Sequence, residues 1–362
     1  MATKAPCTSR ERTRLAFAHE EPDRVPLHYF DNPGLNQRMK KHFGLAADDE
    51  EGLRQRLEID FRGIWLPYRG RRLHAELPNR QVDPAWGRRT QWIEHESGGY
   101  WDFCDFPLKD APAEEFDHWP MPSPDDYDYS IVQQVCRSHP DKAIYIGGPG
   151  SADILNFCGM LMGVEQMMME IIDPDSPLQD FVDRRINVQL GELERTLALA
   201  EGRVDFLWIG EDLGTQRGPV ISMESYRRFL KPRHKRYVDL ARSWNIPVMM
   251  HSCGSSSWAF DEFLDLGISA IDTLQPEAAN MSPAYLKKRW GDKLTFHGCI
   301  STAGPVANGT VQDVRRDVRQ TLQTMMPGGG YCLAPTHCLQ DNSPTENVLA
   351  LFAAALEFGR YH

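Results

Sequence analysis

Short apolar runs bounded by turn residues recur along the 362-residue chain, at 25–30, 61–67, 143–147, 205–210, 247–251, 270–275, 294–298 and 330–334. Most are continuously apolar rather than alternating, as strands buried on both faces are. Helical periodicity fills most of the intervals. It covers 9–19, with Thr8 or Ser9 as the cap, 164–172 running on through 177–200, then 223–244, 257–266, 282–290, 311–325 and 344–361. Strands alternating with helices imply a parallel sheet with right-handed crossovers. Eight strands in a chain of this length predict an α/β fold, a single (β/α)8 TIM barrel over 1–362. The competing arrangement is an open doubly wound sheet. The absence of a G-x-G-x-x-G turn after an early strand weighs against it.

The interval 68–142 is long and is expected as an insertion between the second and third strands. Its segment TQWIEHESGGYWDFCDF (90–106) holds aromatic-rich runs either side of Ser97-Gly98-Gly99 and predicts a β-hairpin. Behind it, the Pro- and Asp-rich WPMPSPDDYDY predicts an irregular surface crossing.

Composition narrows the function classes. Hydrophobic residues make up 41%, enough for a large core. The formal charge is −11, from 40 Lys+Arg against 51 Asp+Glu, which argues against a nucleic-acid or polybasic membrane-surface partner. No run approaches the ~20 apolar residues of a membrane span. The longest, 348–358, carries Glu357 and suits an amphipathic terminal helix. The charged N-terminus lacks the apolar centre of a secretory signal, so a cytoplasmic location is expected. There the eight cysteines are expected as thiols or metal ligands rather than disulfides.

In such a barrel, chemistry gathers just after the C-terminal ends of the strands. His251-Ser252-Cys253-Gly254 follows the fifth run and offers an imidazole and a thiol from one flexible turn. Zinc takes both donor types, and a catalytic site keeps one position open. Cys338, just past the last run, is the candidate third ligand; the alternative is that Cys253 and Cys338 are small buried residues and His251 a satisfied polar one. Glu211 and Asp212 follow the fourth run and suit proton transfer or substrate fixation, against the alternative of a helix cap. His297, with Cys299, ends the seventh run, where catalytic, ligand and purely structural roles all fit. Gln216, Gln275 and His337 are candidate substrate-binding residues. Cys332, inside a strand, and the methionines of 160–169 are expected as core.

These residues sit in longer stretches: RERTRLAFAHEEPDRVP (10–26), YIGGPGSADIL (145–155), IGEDLGTQRGPVISMESYRRFLKPRHKRYVD (209–239), MHSCG (250–254), TFHGCIS (295–301) and GGGYCLAPTHCLQDNSPTENVLAL (328–351). Through them nearly the whole chain resembles the uroporphyrinogen decarboxylase superfamily, and within it the zinc-dependent, corrinoid-linked methyltransferases. The resemblance implies a (β/α)8 barrel with Zn2+ held by His251, Cys253 and Cys338. It implies a methyl group moved between a corrinoid (cobalamin) protein, acting as partner, and a small methoxylated or thiol substrate. A homodimer is compatible with the superfamily. The decarboxylases' R-Q-A-G-R motif is absent; the first run leads instead into HYFDNPGLNQRMKKHF (28–43). That departure weighs against porphyrinogen decarboxylation. A metal-independent decarboxylase or lyase centred on Glu211, Asp212 and His297 remains open, as does a non-catalytic barrel.

Overall fold

The computed structural model describes residues 5–95 and 98–362. Among the described residues ten strands occur in chain order: β1 (Phe61–Ile64), β2 (Gln81–Val82), β3 (Arg89–His95), β4 (Gly98–Phe103), β5 (Ala143–Gly147), β6 (Phe206–Gly210), β7 (Val248–Ser252), β8 (Ala270–Thr273), β9 (Thr295–Ile300) and β10 (Tyr331–Pro335). Seven form one sheet in the order β1-β5-β6-β7-β8-β9-β10. All its pairings are parallel, and helices follow most of its strands. The curled sheet and its surrounding helices are a TIM-type α/β barrel.

The first expected strand is a correction. Segment 25–30 makes no regular ladder; it forms single parallel bridges, Leu27 to Leu333 and Asp31 to Leu339. The His28 N–H donates to Leu333 O at 3.0 Å, and the Leu333 N–H to Pro26 O at 2.9 Å. On its other side the Asp60 N–H donates to Leu27 O at 3.0 Å. The segment therefore fills the gap between β10 and β1 and closes the ring. Pro26 has no N–H to offer a ladder, which is why closure is by bridges. The expected helix 223–244 is helical from Met223 to Ser243, with a change of winding inside it. A wider π-helical turn at Tyr226–Leu230 separates Met223–Ser225 from Lys231–Ser243. Pro232, at the start of the last piece, lacks the N–H a continuous helix needs.

The apolar runs are continuous because both faces of each strand are covered. Phe61, Tyr145, Phe206, Trp208, Met249 and Cys332 pack inside the barrel. Their sequence neighbours Ile144, Ile146, Leu207, Val248, Met250 and Leu333 face the helices in a separate, larger core. Cys332 is thus core, as expected. The insertion carries the expected hairpin: β3 pairs with β4 antiparallel, and β2 extends it to three strands. Trp92 opposes Trp101 across the hairpin, with ring centroids 5.6 Å apart. Ser97, expected in its turn, lies outside the described residues. Among the described residues, no helix is long and apolar enough to cross a membrane.

A buried ion cluster pins the closing segment. Asp60 is wholly buried and takes hydrogen bonds from Arg12 Nη1 at 2.6 Å, Arg24 Nη1 at 2.7 Å and the Leu27 N–H at 2.7 Å. Removing the carboxylate takes the close ion partner from buried Arg24, while Arg12 keeps its pair with Asp23 at 2.7 Å; breaking a buried pair in this way typically costs about 3–5 kcal/mol. Asp60→Ala is expected to lower the unfolding free energy by that amount, seen as a lower urea midpoint at an unchanged denaturant slope. An unchanged midpoint would show that closure does not depend on this cluster.

Candidate active site

Strand register builds the site. His251 on β7 pairs with Asp272 on β8, Asp272 with His297 on β9, and His297 with Cys332 on β10. Neighbouring residues in register turn the same way, so these side chains meet inside the ring. Asp272 Oδ2 lies 2.5 Å from His251 Nδ1, and Asp272 Oδ1 lies 2.6 Å from His297 Nδ1. His297 Nε2 in turn lies 3.0 Å from His28 Nδ1. All four residues are buried. His28 is packed against the rings of Phe30, Phe61, Tyr145 and Trp208 and borders a cavity of about 760 Å³ that also reaches Trp65 and Arg54.

Just beyond, the turn after β7 folds back onto the loop after β6. Gly254 takes φ +69°, and a Cβ there would lie 2.2 Å from Gly214 O, so the close approach requires glycine. The Ser255 N–H donates to Thr215 O at 2.7 Å, and the Gly254 N–H to Gln275 Oε1 at 2.5 Å. The Cys253 N–H donates to Asp212 Oδ1 at 2.8 Å, while Asn156 Nδ2 donates to Asp212 Oδ2 at 2.9 Å. The result is a compact donor set. His251 Nε2 lies 3.3 Å from Cys253 Sγ and 3.5 Å from Asp212 Oδ1. One ligand atom from each of Asp212, His251 and Cys253 falls within 4.8 Å of the others. Imidazole, thiol and carboxylate at this spacing fit a zinc ion.

Electrostatics couple these groups. Burial disfavours charge on His251, but Cys253 and Asp272 outweigh it and raise its pKa well above the usual imidazole value. Burial also works against ionised Asp272, yet His297 and the His251 hydrogen bond hold it below the usual carboxylate range. Asp212 is held low in the same way, by His251, the Cys253 N–H and Asn156 against its burial. Burial pushes the Cys253 thiol up, opposed by His251.

The other expected residues are placed as follows. Cys338 stands outside the three-residue cluster, half-buried. Burial and then Asp31 raise its thiol while His251 pulls it down, so the two lie within electrostatic reach. His337 is exposed, with Nδ1 3.5 Å from Gln340 Nε2. Gln216 is exposed on the loop that packs against the metal turn, its carbonyl accepting from the Ala279 N–H at 3.0 Å. Gln275 spends its Oε1 on Gly254. Cys299 is wholly enclosed in the outer core.

Glu211, expected in proton transfer or substrate fixation, lies inside the protein. It is fully buried and accepts hydrogen bonds from the Ile154 N–H at 3.0 Å and the Leu155 N–H at 2.9 Å, beside His234 Nε2 at 3.2 Å. It thereby ties β6 to the start of helix Leu155–Met162. Asp272 and His28 were not singled out from the sequence. Their signal was a lone polar residue inside an apolar strand run.

Burial raises Glu211 to about 8, against the pull of its two backbone donors, and burial with the neighbouring Glu211 charge raises Asp153 to about 8. The folded chain therefore keeps a proton that the unfolded chain releases near its ordinary pKa of ~4.3. Stability should fall as pH rises from about 5 to about 8. Glu211→Gln is expected to flatten that slope in urea titrations across the window. A slope unchanged by the substitution would show that Glu211 is ionised throughout.

The geometry can be set beside known proteins. The sequence model described as uroporphyrinogen decarboxylase (URO-D) matches residues 130–358, more than half of the chain. The methylcobamide:CoM methyltransferase MtaA of Methanosarcina barkeri is 25% identical over 161 residues, 44% of each chain. A methylated-thiol–coenzyme M methyltransferase of Methanosarcina mazei is 27% identical over 141 residues, 38% of this chain and 34% of its own. The matched stretch thus spans less than half the length of these curated relatives. A solved methyltransferase from Methanosarcina mazei superposes with a TM-score of 0.65 at 18% identity, covering 98% of this chain and 99% of that one, which shows a shared fold. Closed barrel, matched segment and superposition agree: the chain belongs to the uroporphyrinogen decarboxylase family.

Proposed function

We propose that this chain is a zinc-using methyltransferase that moves a methyl group between a corrinoid protein and a small methoxylated or thiol substrate. The observation that carries this reading is the convergence of His251 Nε2, Cys253 Sγ and an Asp212 oxygen within 4.8 Å. They converge at the strand ends where barrels of this type do their chemistry. Relatives named as methylcobamide and methylated-thiol methyltransferases support the same direction.

His251 and Cys253 would hold the zinc, with Cys338 as third ligand and Asp212 as the neighbouring donor. Bound there, zinc lowers the pKa of a thiol or hydroxyl and so makes a thiolate, or a departing alkoxide, accessible near neutral pH. The chain's own residues then divide the work. Asp212 fixes the metal turn through the Cys253 N–H and keeps a carboxylate beside the His251 and Cys253 donors. Gln275 holds Gly254 and with it the angle of the turn. Gln216 and His337 are exposed and are assigned to substrate contact at the rim. Glu211 and His297 act through others: Glu211 holds the helix start, and His297 supports Asp272.

Zinc content and methyl transfer test this reading together. The purified, reduced chain is expected to bind about one zinc, as a catalytic site of this kind does. Cys253→Ser should lose it, and Cys338→Ser should weaken it. With a methylated corrinoid protein and a panel of thiols, or a methyl ether panel and the demethylated partner, Cys253→Ser should fall by about 10²-fold or more. A chain that takes up no zinc after reconstitution would sink the proposal.

A further inference from the structure

We infer that Asp272, backed by His297 and His28, is a positioning residue that fixes the protonation pattern and ring orientation of His251, so that Nε2 is the nitrogen presented to a cation. This rests on the reading of His251 as a metal ligand. It goes beyond that reading by assigning work to three residues at increasing distance from the metal.

A carboxylate has no proton to give, so a nitrogen at hydrogen-bond distance from it must donate. Asp272 meets Nδ1 of His251 at 2.5 Å through one oxygen and Nδ1 of His297 at 2.6 Å through the other. Both Nδ1 atoms therefore carry hydrogen. That leaves His251 Nε2 for the donor set, 3.3 Å from Cys253 Sγ. A ring with Nδ1 protonated and Nε2 free to ligate is the form a bound metal needs. The ring cannot flip without breaking the Asp272 bond and turning a protonated nitrogen toward the metal position.

Asp272 is itself held. Its second oxygen is occupied by His297, whose Nε2 meets His28 Nδ1 at 3.0 Å. His28 is wedged among Phe30, Phe61 and Trp208 at centroid distances of 4.1, 4.6 and 5.7 Å. Burial and the neighbouring His297 keep its pKa well below the usual imidazole value. The line thus ends on an imidazole packed among aromatic rings at the edge of the cavity. Each member fixes the next, from His28 to His297 to Asp272 to His251.

Zinc affinity, measured by competition with a chromogenic chelator, tests the order of effects. Partners behind a ligating histidine typically contribute about 10–100-fold in metal affinity. Asp272→Asn should therefore weaken zinc by at least about tenfold. His297→Leu, which frees one Asp272 oxygen, should weaken it less, and His28→Phe least. Cobalt substituted for zinc should show an altered visible spectrum in Asp272→Asn, a change that loss of stability alone would not give. Should a variant fail to fold, ¹⁵N-histidine spectra of the unmodified, zinc-loaded chain decide the matter. They should show His251 protonated at Nδ1 and ligating through Nε2. Zinc bound equally well by Asp272→Asn and the unmodified chain, or ligation through Nδ1, would overturn the inference alone. Failure of the unmodified chain to bind zinc would instead overturn the proposed function.

Discussion

A buried carboxylate shared by two imidazoles organises the interior of this barrel. Asp272 is enclosed by protein, and an ionised group so placed is tolerable only if paired and hydrogen-bonded. Its two oxygens are each committed, one to His251 and one to His297. That arrangement requires β7, β8 and β9 to keep their register, because a slip of one residue would turn each side chain to the other face. The polar layer thus specifies strand alignment and donor geometry together. The aromatic side chains Phe61, Tyr145, Phe206 and Trp208 pack inside the ring beside that layer.

Much of the fold could be read along the chain because both faces of the barrel strands are covered and most of their residues are apolar. The runs at 143–147, 205–210 and 330–334 are interrupted by little else. Segment 25–30 was harder. Its composition is that of a strand, but Pro26 removes a donor, and only the folded ring shows that bridges suffice. The zinc-type pair was legible for a local reason: His251 and Cys253 come from one turn, two residues apart. Asp272 and His28 were not, since a polar residue within a strand acquires meaning only from its neighbours across the sheet. Those neighbours are distant in sequence and adjacent only in register.

Glu211 and Asp212 show the limit of adjacency as a guide. Consecutive carboxylates after an apolar strand look like one acidic patch. Consecutive residues in extended chain point to opposite sides. Glu211 accordingly turns into the protein, to the Ile154 and Leu155 N–H groups, while Asp212 meets the metal turn through the Cys253 N–H. One carboxylate is spent on architecture and the other on the site. Position along the strand, more than residue type, separates the two uses.

The bridged seam between β10 and β1 has a mechanical consequence. A ring of parallel ladders resists changes in circumference everywhere except where its hydrogen bonds are fewest. Here that place is the segment carrying His28, held on one side by the bridges of Leu27 and Asp31 and on the other through Asp60. Any widening of the ring at this seam draws His28 away from His297 and loosens the support behind Asp272. The girth of the barrel and the aim of a metal-facing imidazole are therefore linked degrees of freedom, joined through a single 3.0 Å contact between two histidines.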